Sequence, residues 1–295
     1  MKSKSDSSTA HKIGAHLSVA GGMHLAFDEA VRLGFDCIQI FVKNQRQWKA
    51  APLSEEQVRL FREARKRTGI GPVTAHASYL INLAAPDPVN LAKSIDAMTD
   101  ELTRCEALGV ELLVVHPGAH LGEGLDAGIA RTSQSIDEIH VRTRGFKTRI
   151  GLEDTAGQGS TIGRELNELG RIIDGVKSPE RLAVCLDTCH LFAAGYDLRD
   201  ASDYERMIAE ADRAFGLPRV HCIHTNDSVM DLGSRRDRHE HIGLGKLGRR
   251  GFELILRDPR LAHAPRILET EHGEDEKGRE WLAVDQAAMR RIARQ

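Results

Sequence analysis

The sequence has no run near the ~20 consecutive apolar residues that a membrane-spanning helix needs, and its polar opening, MKSKSDSSTAHK, lacks the apolar stretch of a secretory leader. These two absences predict a cytoplasmic protein, with no membrane partner and with residues 1–12 as a disordered tail. A dominant charge sign is missing too. The 41 Lys and Arg against 43 Asp and Glu leave a formal charge of −2, which argues against a histone-like coat for nucleic acid but leaves room for an enzyme with a local basic face. Cysteine is sparse: Cys37, Cys105, Cys185, Cys189 and Cys222 form no even framework, and Cys185 and Cys189 miss the C-x-x-C spacing. An odd count of this kind fits a reducing compartment, with the thiols as small core residues. No Gly-x-Gly-x-x-Gly follows the first apolar run, which disfavours a dinucleotide-binding sheet. No low-complexity linker or short repeat divides the chain.

What is present is an ordinary globular composition, 41% hydrophobic and 28% charged over 295 residues. A chain of this size buries roughly three quarters of its unfolded surface and needs no disulfide to fold. Short β-rich runs recur at Ile13–Ser18, Cys37–Val42, Val73–Ser78, Leu112–Pro117, Arg149–Thr155, Leu182–Thr188, Val220–Asp227 and Arg266–Glu271. Amphipathic stretches lie between them, such as the one carrying Leu91, Ile95, Met98, Leu102 and Leu108 on one face. Ser54 and Gln57 form a capping box that opens another, holding Val58, Phe61 and Ala64. Eight alternations of strand and helix predict an α/β fold of the closed TIM (β/α)8 barrel type, with residues 13–295 as a single catalytic domain. A doubly wound open sheet is the alternative, because pattern alone does not report closure.

Polar residues of metal-binding type gather at the carboxyl ends of these runs. The third ends in His76, the fourth in His116, the fifth in Glu153, and the sixth in Asp187 with His190 just beyond. The seventh carries His224 and the eighth Glu269, while Asp237 and His239 occupy the loop after the seventh. In a barrel these ends converge on one mouth, so residues almost 200 positions apart can meet. Imidazole and carboxylate suit zinc and similar divalent ions. Nine such groups exceed the needs of one tetrahedral ion, which predicts a multinuclear cluster. A carboxylate can bridge two ions, and two ions ~3.5–4 Å apart can stabilise both the attacking and the leaving oxygen in phosphoryl transfer.

Each residue also has a plainer reading. A single His near a strand end is more often a hydrogen-bonded structural residue than a ligand. Buried carboxylates are rarer unless paired, so Glu153, Asp187 and Glu269 carry more weight. His16 ends the first run and faces the same mouth, where it could serve the site or only pack. His120 and His241 flank the motifs and fit supporting or surface positions, while His11, His140, His263 and His272 fall in the tail, helix ends or loops. Glu271–Glu280 reads as a solvated loop. Of the basic stretches Arg142–Arg149, Arg235–Arg238 and Lys246–Arg250, the last two flank the ligand loop and could meet phosphates.

Nine segments together resemble endonuclease IV, the zinc-dependent apurinic/apyrimidinic (AP) endonuclease family. They are GAHLSVAGG from Gly14, KNQRQW from Lys43, HASYLINLA from His76, HPGAH from His116 and LEDTAGQGS from Leu152. LDTCHLFAAGYD from Leu186, HTNDS from His224, DRHEHIGLG from Asp237 and ILET from Ile267 complete the set. The resemblance implies hydrolysis of the phosphodiester 5′ to an abasic site in duplex DNA, leaving a 3′-hydroxyl and a 5′-deoxyribose phosphate, in base excision repair. It implies 3′-end cleaning as well, and a monomer. It further implies three zinc ions, one replaceable by manganese. His76, His116 and Glu153 resemble the ligands of the first; Glu153 bridges to the second, with Asp187, His224 and Glu269; His190, Asp237 and His239 hold the third. Glu153 or Glu269 would orient the nucleophile or accept its proton. By the same resemblance Arg46, Tyr79 and Leu80 enter the duplex and fill the gap at the lesion; by themselves they read as a surface charge and core packing.

Two rivals remain at this level. A metal-dependent sugar isomerase or epimerase shares the barrel and strand-end ligands but has no need of Asp237-x-His239 or KNQRQW. A non-enzymatic lesion binder with structural zinc would favour closed, Cys-rich sites over His and carboxylate.

Overall fold

The residues that read as buried strands have short aliphatic runs, LLVV and LAVCL among them, with no polar face to turn outward. In a computed structural model that describes residues 11–294, they form β1 (Ile13–His16), β2 (Cys37–Ile40), β3 (Val73–His76), β4 (Leu112–Val115), β5 (Arg149–Glu153), β6 (Leu182–Asp187) and β7 (Val220–His224). Two-residue strands β8 (Asp227–Ser228) and β9 (His239–Glu240) follow, then β10 (Arg266–Leu268). All but β8 and β9 pair in parallel and close into a barrel in the order β1-β10-β7-β6-β5-β4-β3-β2. The pair β8 and β9 makes a small antiparallel ribbon.

The helices are α1 (Leu25–Leu33), α2 (Glu55–Thr68), α3 (Pro88–Leu108), α4 (Leu125–Arg142), α5 (Leu166–Gly175), α6 (Thr188–Ala194), α7 (Ala201–Phe215), α8 (Gly248–Arg257) and α9 (Trp281–Arg294). Their ends follow local chemistry. The expected capping box opens α2: Gln57 N–H donates to Ser54 Oγ at 3.2 Å, and Ser54 N–H donates to Gln57 Oε1 at 2.9 Å. Asp87 caps α3 with Pro88 in its first turn, and α3 ends at Gly109, whose φ of 76° only glycine adopts freely. Among the described residues no helix is long and apolar enough to cross a membrane. The expected tail falls mostly on residues 1–10, which lie outside the described residues; Lys12 is described, and its carbonyl accepts from Arg266 N–H at 2.8 Å.

Alternation along the strands positions the site. One buried apolar cluster comes wholly from strands: Cys37, Leu112, Val114, Ala183, Cys185, Cys222 and Ile267. Side chains two residues apart share a strand face. The same faces therefore carry Gln39, His116, Asp187, His224 and Glu269 one or two steps further on. The barrel interior is apolar below and ligand-bearing at its carboxyl mouth. All five cysteines are buried and unpaired, as expected of core thiols.

All eight expected runs start where the barrel strands start, but the strands stop one to three residues early. Around the ends of β6, β7 and β10 side chains join the ladder as acceptors. Asp187 N–H donates to Asp154 Oδ1 at 2.7 Å, Asn226 N–H to Thr188 Oγ1 at 2.9 Å, and Glu269 N–H to Asn226 Oδ1 at 2.8 Å. Hydrophobic pattern does not register such side-chain acceptors.

Candidate metal centre

Glu153, at the end of β5, is fully buried, and imidazoles surround its carboxylate. His76 Nε2 lies 3.1 Å and His116 Nε2 3.0 Å from Oε2, while His224 Nδ1 lies 2.7 Å from Oε1. His224 Nδ1 is also 3.2 Å from Glu269 Oε2. Across the mouth, His190 Nε2 and His239 Nε2 each stand 3.2 Å from a different oxygen of Asp237, and His239 Nε2 is 3.6 Å from Asp187 Oδ2. Among the described residues, every ion-pair partner of Glu153, Asp187, Asp237 and Glu269 is a histidine.

These atoms fall into three donor groups, each with members within 4.8 Å of one another: His76, His116 and Glu153; Glu153, Asp187, His224 and Glu269; and Asp187, His190 and His239. Eight of the nine residues singled out in the sequence belong to these groups, and Asp237 adjoins the third through His190 and His239, so all nine meet at one mouth. Glu153 is common to the first two groups, and Asp187 is common to the last two. That second sharing was not legible in the sequence, where Asp187 stood in one set only. A further grouping of Cys189 with Asp237 and His239 borders the third.

The orientation of the imidazoles suits metal binding, because in four of them one ring nitrogen is tied to an oxygen of the protein frame and the other is left for the donor groups. His76 Nδ1 pairs with Ala77 O at 2.8 Å, His190 Nδ1 with Asp154 O at 2.9 Å, and His239 Nδ1 with Glu269 O at 3.2 Å. His224 uses its other nitrogen, Nε2, on Gln39 Oε1 at 2.9 Å. If each of those pairs is an N–H donated to oxygen, the inward nitrogens are lone-pair acceptors. His239 Nε2 is buried with no hydrogen-bond partner, an orphan that a cation would satisfy. The donor set therefore fits divalent ions.

Burial and neighbours set the ionisation. Burial opposes the charge on Glu153, yet His224 and His116 hold its carboxyl well below the ordinary range. Glu269 is also held low against burial, chiefly by His224. Burial pushes Asp154 well above the usual carboxylate range, with Asp187 and Glu153 adding to the effect against the pull of His190. His239 is raised to about 9, since Asp187 and Asp237 outweigh the burial that would lower it.

Four residues that hold this arrangement escaped the sequence reading. Gln39 donates from Nε2 to Glu269 Oε1 at 2.5 Å while its Oε1 faces His224, so one amide orients two groups. Asn226 donates to Asp187 Oδ2 at 2.7 Å. Asp227 accepts from the N–H groups of Gly243, Leu247 and Gly248 at 2.9–3.2 Å, anchoring the far end of the loop that bears Asp237 and His239. Asp154 receives Asp187 N–H. Their signal was proximity to ligands in LEDT and HTND, and for Gln39 the step of two from Cys37. His16, left open earlier, lies 3.4 Å from Glu269 Oε1 through Nδ1. His241 pairs with Asp285 at 2.8 Å and stacks on Trp281, away from the donor groups.

Around the mouth Arg46 is exposed, Tyr79 is 65% exposed and Leu80 36%. Arg235, Arg236 and Arg238 stand exposed in the loop beside Asp237. Arg142–Arg149, by contrast, run from the end of α4 to the first residue of β5 and so belong to the opposite end of the barrel, where Arg142 pairs with Asp96 and Glu138.

Comparison with known proteins agrees with this geometry. The family described as "Xylose isomerase-like TIM barrel" matches residues 27–292. The chain is 50% identical over 264 residues to a protein of Chloroflexus aggregans named "Probable endonuclease 4", covering 90% of this chain and 92% of that one. It is similar to the crystal structure of endonuclease IV from Thermus thermophilus, with a TM-score of 0.82 and 38% identity, covering 96% and 99% of the two chains. A D-tagatose 3-epimerase-like protein matches at a TM-score of 0.73 but 17% identity, covering 96% of this chain and 97% of that one, which shows a shared fold alone.

Proposed function

This chain belongs to the xylose-isomerase-like TIM-barrel family and, within it, to the endonuclease IV group, and from that premise we propose the substrate, the metals and the residues of its reaction. It is an AP endonuclease of the endonuclease IV type, a DNA-cleaving hydrolase. The finer reading is incision 5′ to an abasic site in duplex DNA, leaving an extendable 3′-hydroxyl, with 3′-end cleaning as a second activity. The protein would act as a cytoplasmic monomer, with residues 13–295 as the catalytic domain and 1–12 dispensable for nicking.

The observation that carries this reading is the chain of three donor groups linked through Glu153 and Asp187. His76, His116 and Glu153 would hold one ion; Glu153, Asp187, His224 and Glu269 a second; and Asp187, His190, Asp237 and His239 a third. Zinc suits these donors, with manganese a substitute at one position. Bound divalent ions supply Lewis acidity, lowering the pKa of water and drawing charge from phosphate oxygens. The protein's own contribution is placement. Gln39 fixes the Glu269 carboxylate through Oε1, leaving Oε2 to orient the nucleophile or take its proton, a role for which Glu153 is the alternative. The closed barrel and the tied imidazoles hold these groups without reorganisation during reaction. Arg46, Tyr79 and Leu80 enter the duplex where the missing base leaves little stacking to lose, and Arg235, Arg236 and Arg238 meet flanking phosphates.

The test is a labelled duplex containing one tetrahydrofuran, an abasic analogue that cannot undergo β-elimination. A nick on its 5′ side whose 3′ end a polymerase extends is expected, from protein assayed for metal content. No nick by protein carrying three metal ions would sink the proposed substrate and chemistry.

A further inference from the structure

The exposed tips carrying Arg46, Tyr79 and Leu80 stand on two different loops, after β2 and after β3, and both loops are fastened to the same turn of α3. Glu101 of α3 is 1% exposed. Its carboxylate accepts Ser78 N–H at 3.3 Å and pairs with Lys43 Nζ at 3.3 Å. Lys43, whose side chain is 1% exposed, also approaches Asp100 at 3.6 Å and donates to Trp48 O at 3.1 Å, closing the loop that bears Arg46 at both ends. Between the loops, Ser78 Oγ donates to Gln45 O at 2.6 Å and accepts Leu80 N–H at 3.3 Å. Arg104, one turn further along α3, donates to Ala50 O and Ala51 O where the first loop leaves the mouth. Within that loop Asn44 Oδ1 accepts Arg46 N–H at 2.9 Å.

A buried ion pair is a weak source of stability, because desolvation offsets much of its attraction. What such a pair defines well is geometry, since both charged groups need their partners in place. Here that geometry joins Gln45 to Ser78, the immediate neighbours of Arg46 and Tyr79. Side chains presented on a fixed base lose less conformational entropy on binding than side chains on free loops.

We propose that Lys43, Glu101 and Ser78 are positioning residues for lesion recognition, locking the Arg46 loop to the Tyr79–Leu80 loop so that the three side chains enter DNA as one preformed wedge. This rests on the reading of Arg46, Tyr79 and Leu80 as the inserting residues. Among the described residues no hydrogen bond or ion pair joins Lys43, Glu101 or Ser78 to the donor groups, so the clamp acts on discrimination and not on bond cleavage.

The experiment measures equilibrium binding of the full-length, metal-loaded protein to a tetrahydrofuran duplex whose 5′ phosphodiester is replaced by an uncleavable methylphosphonate, and to the matching undamaged duplex, with hydrolysis of bis(p-nitrophenyl) phosphate, a small diester without a lesion, as the second readout. Glu101→Gln is expected to reduce the preference for the lesion about tenfold while small-diester hydrolysis and metal content stay at the unsubstituted level. Ser78→Ala leaves the buried charges intact and decides the matter should Glu101→Gln not fold; it is expected to lower the preference several-fold with little change in Tm. In the Ser78→Ala/Tyr79→Ala double variant, Ser78→Ala should add little to the loss caused by Tyr79→Ala. An unchanged preference in Ser78→Ala, or a parallel fall in lesion binding and small-diester hydrolysis, overturns the clamp. If Arg46→Ala and Tyr79→Ala themselves bind the lesion normally, the wedge reading fails and the clamp with it. Loss in those two alone leaves the wedge standing and removes only the clamp.

Discussion

Glu153 spends its two oxygens on different partners: Oε2 faces His76 and His116, and Oε1 faces His224. Glu269 is divided in another way, with Oε1 held by Gln39 and Oε2 near His224. Because Glu269 can lose its charge without losing its shape, Glu269→Gln should leave Tm near that of the unsubstituted protein and lower turnover on tetrahydrofuran duplex by about 10²-fold or more. Near-normal turnover would remove Glu269 from the reaction. Gln39 is the outer partner of both Glu269 and His224. Its replacement by leucine frees the His224 ring and leaves Glu269 Oε1 with only the longer contact to His16, so metal affinity should fall roughly 10–100-fold, read by competition with a chromophoric chelator. Unaltered affinity in Gln39→Leu would mean that the barrel walls alone orient these ligands.

Strands and helices convert such side chains into a site. The apolar steps along β6, Ala183 and Cys185, set the phase that turns Asp187 inward. Asp187 then doubles as the cap of α6, accepting Cys189 N–H at 2.6 Å and His190 N–H at 3.1 Å. One carboxylate thereby ends a strand, starts a helix and fixes the approach of His190. Far from the mouth, α4 carries a different kind of histidine. His140 is 6% exposed and neither ring nitrogen has a hydrogen-bond partner. Burial first, and the Arg181 guanidinium second, push it down to about 4 from an ordinary 6.5. The unfolded chain consequently takes up this proton before the folded one. Stability owed to neutral His140 is complete above pH 6.5 and is lost as pH falls toward 4. Replacement by leucine should flatten the dependence of unfolding free energy on pH across that window by up to one proton, measured by urea unfolding at several pH values. The same slope in His140→Leu and in the unsubstituted protein would assign the acid sensitivity to other groups.

At the scale of the whole molecule, closure of the barrel gathers carboxylates and imidazoles that would otherwise have no reason to be buried together. In the metal-free state their protons and ion pairs must satisfy them; divalent ions replace those protons. Chelation should therefore abolish nicking and lower Tm by roughly 5–10 °C, both restored by added zinc. A Tm and nicking activity indifferent to exhaustive chelation would end the metal reading. The basic surface divides by end as well. Arg235, Arg236 and Arg238 share the mouth with the donor groups, whereas Arg142–Arg149 lie at the opposite end of the barrel.

The sequence by itself determined the eight strand starts, the α2 capping box and the nine polar groups at or just beyond the carboxyl ends, because short apolar runs, cap chemistry and residue type are local properties. It determined the family too, through segments whose order spans nearly the whole chain. Tertiary structure alone decided the rest. His76 and Glu153 meet across 77 positions, and His224 and Gln39 across 185; such distances depend on closure and register, which no local pattern encodes. The same holds for the sharing of Asp187, for the side chains that join the ladder at strand ends, and for the Glu101–Lys43 pair beneath the two loops. Each involves a polar group whose partner comes from another strand or helix, and only the closed barrel brings those partners within hydrogen-bonding distance.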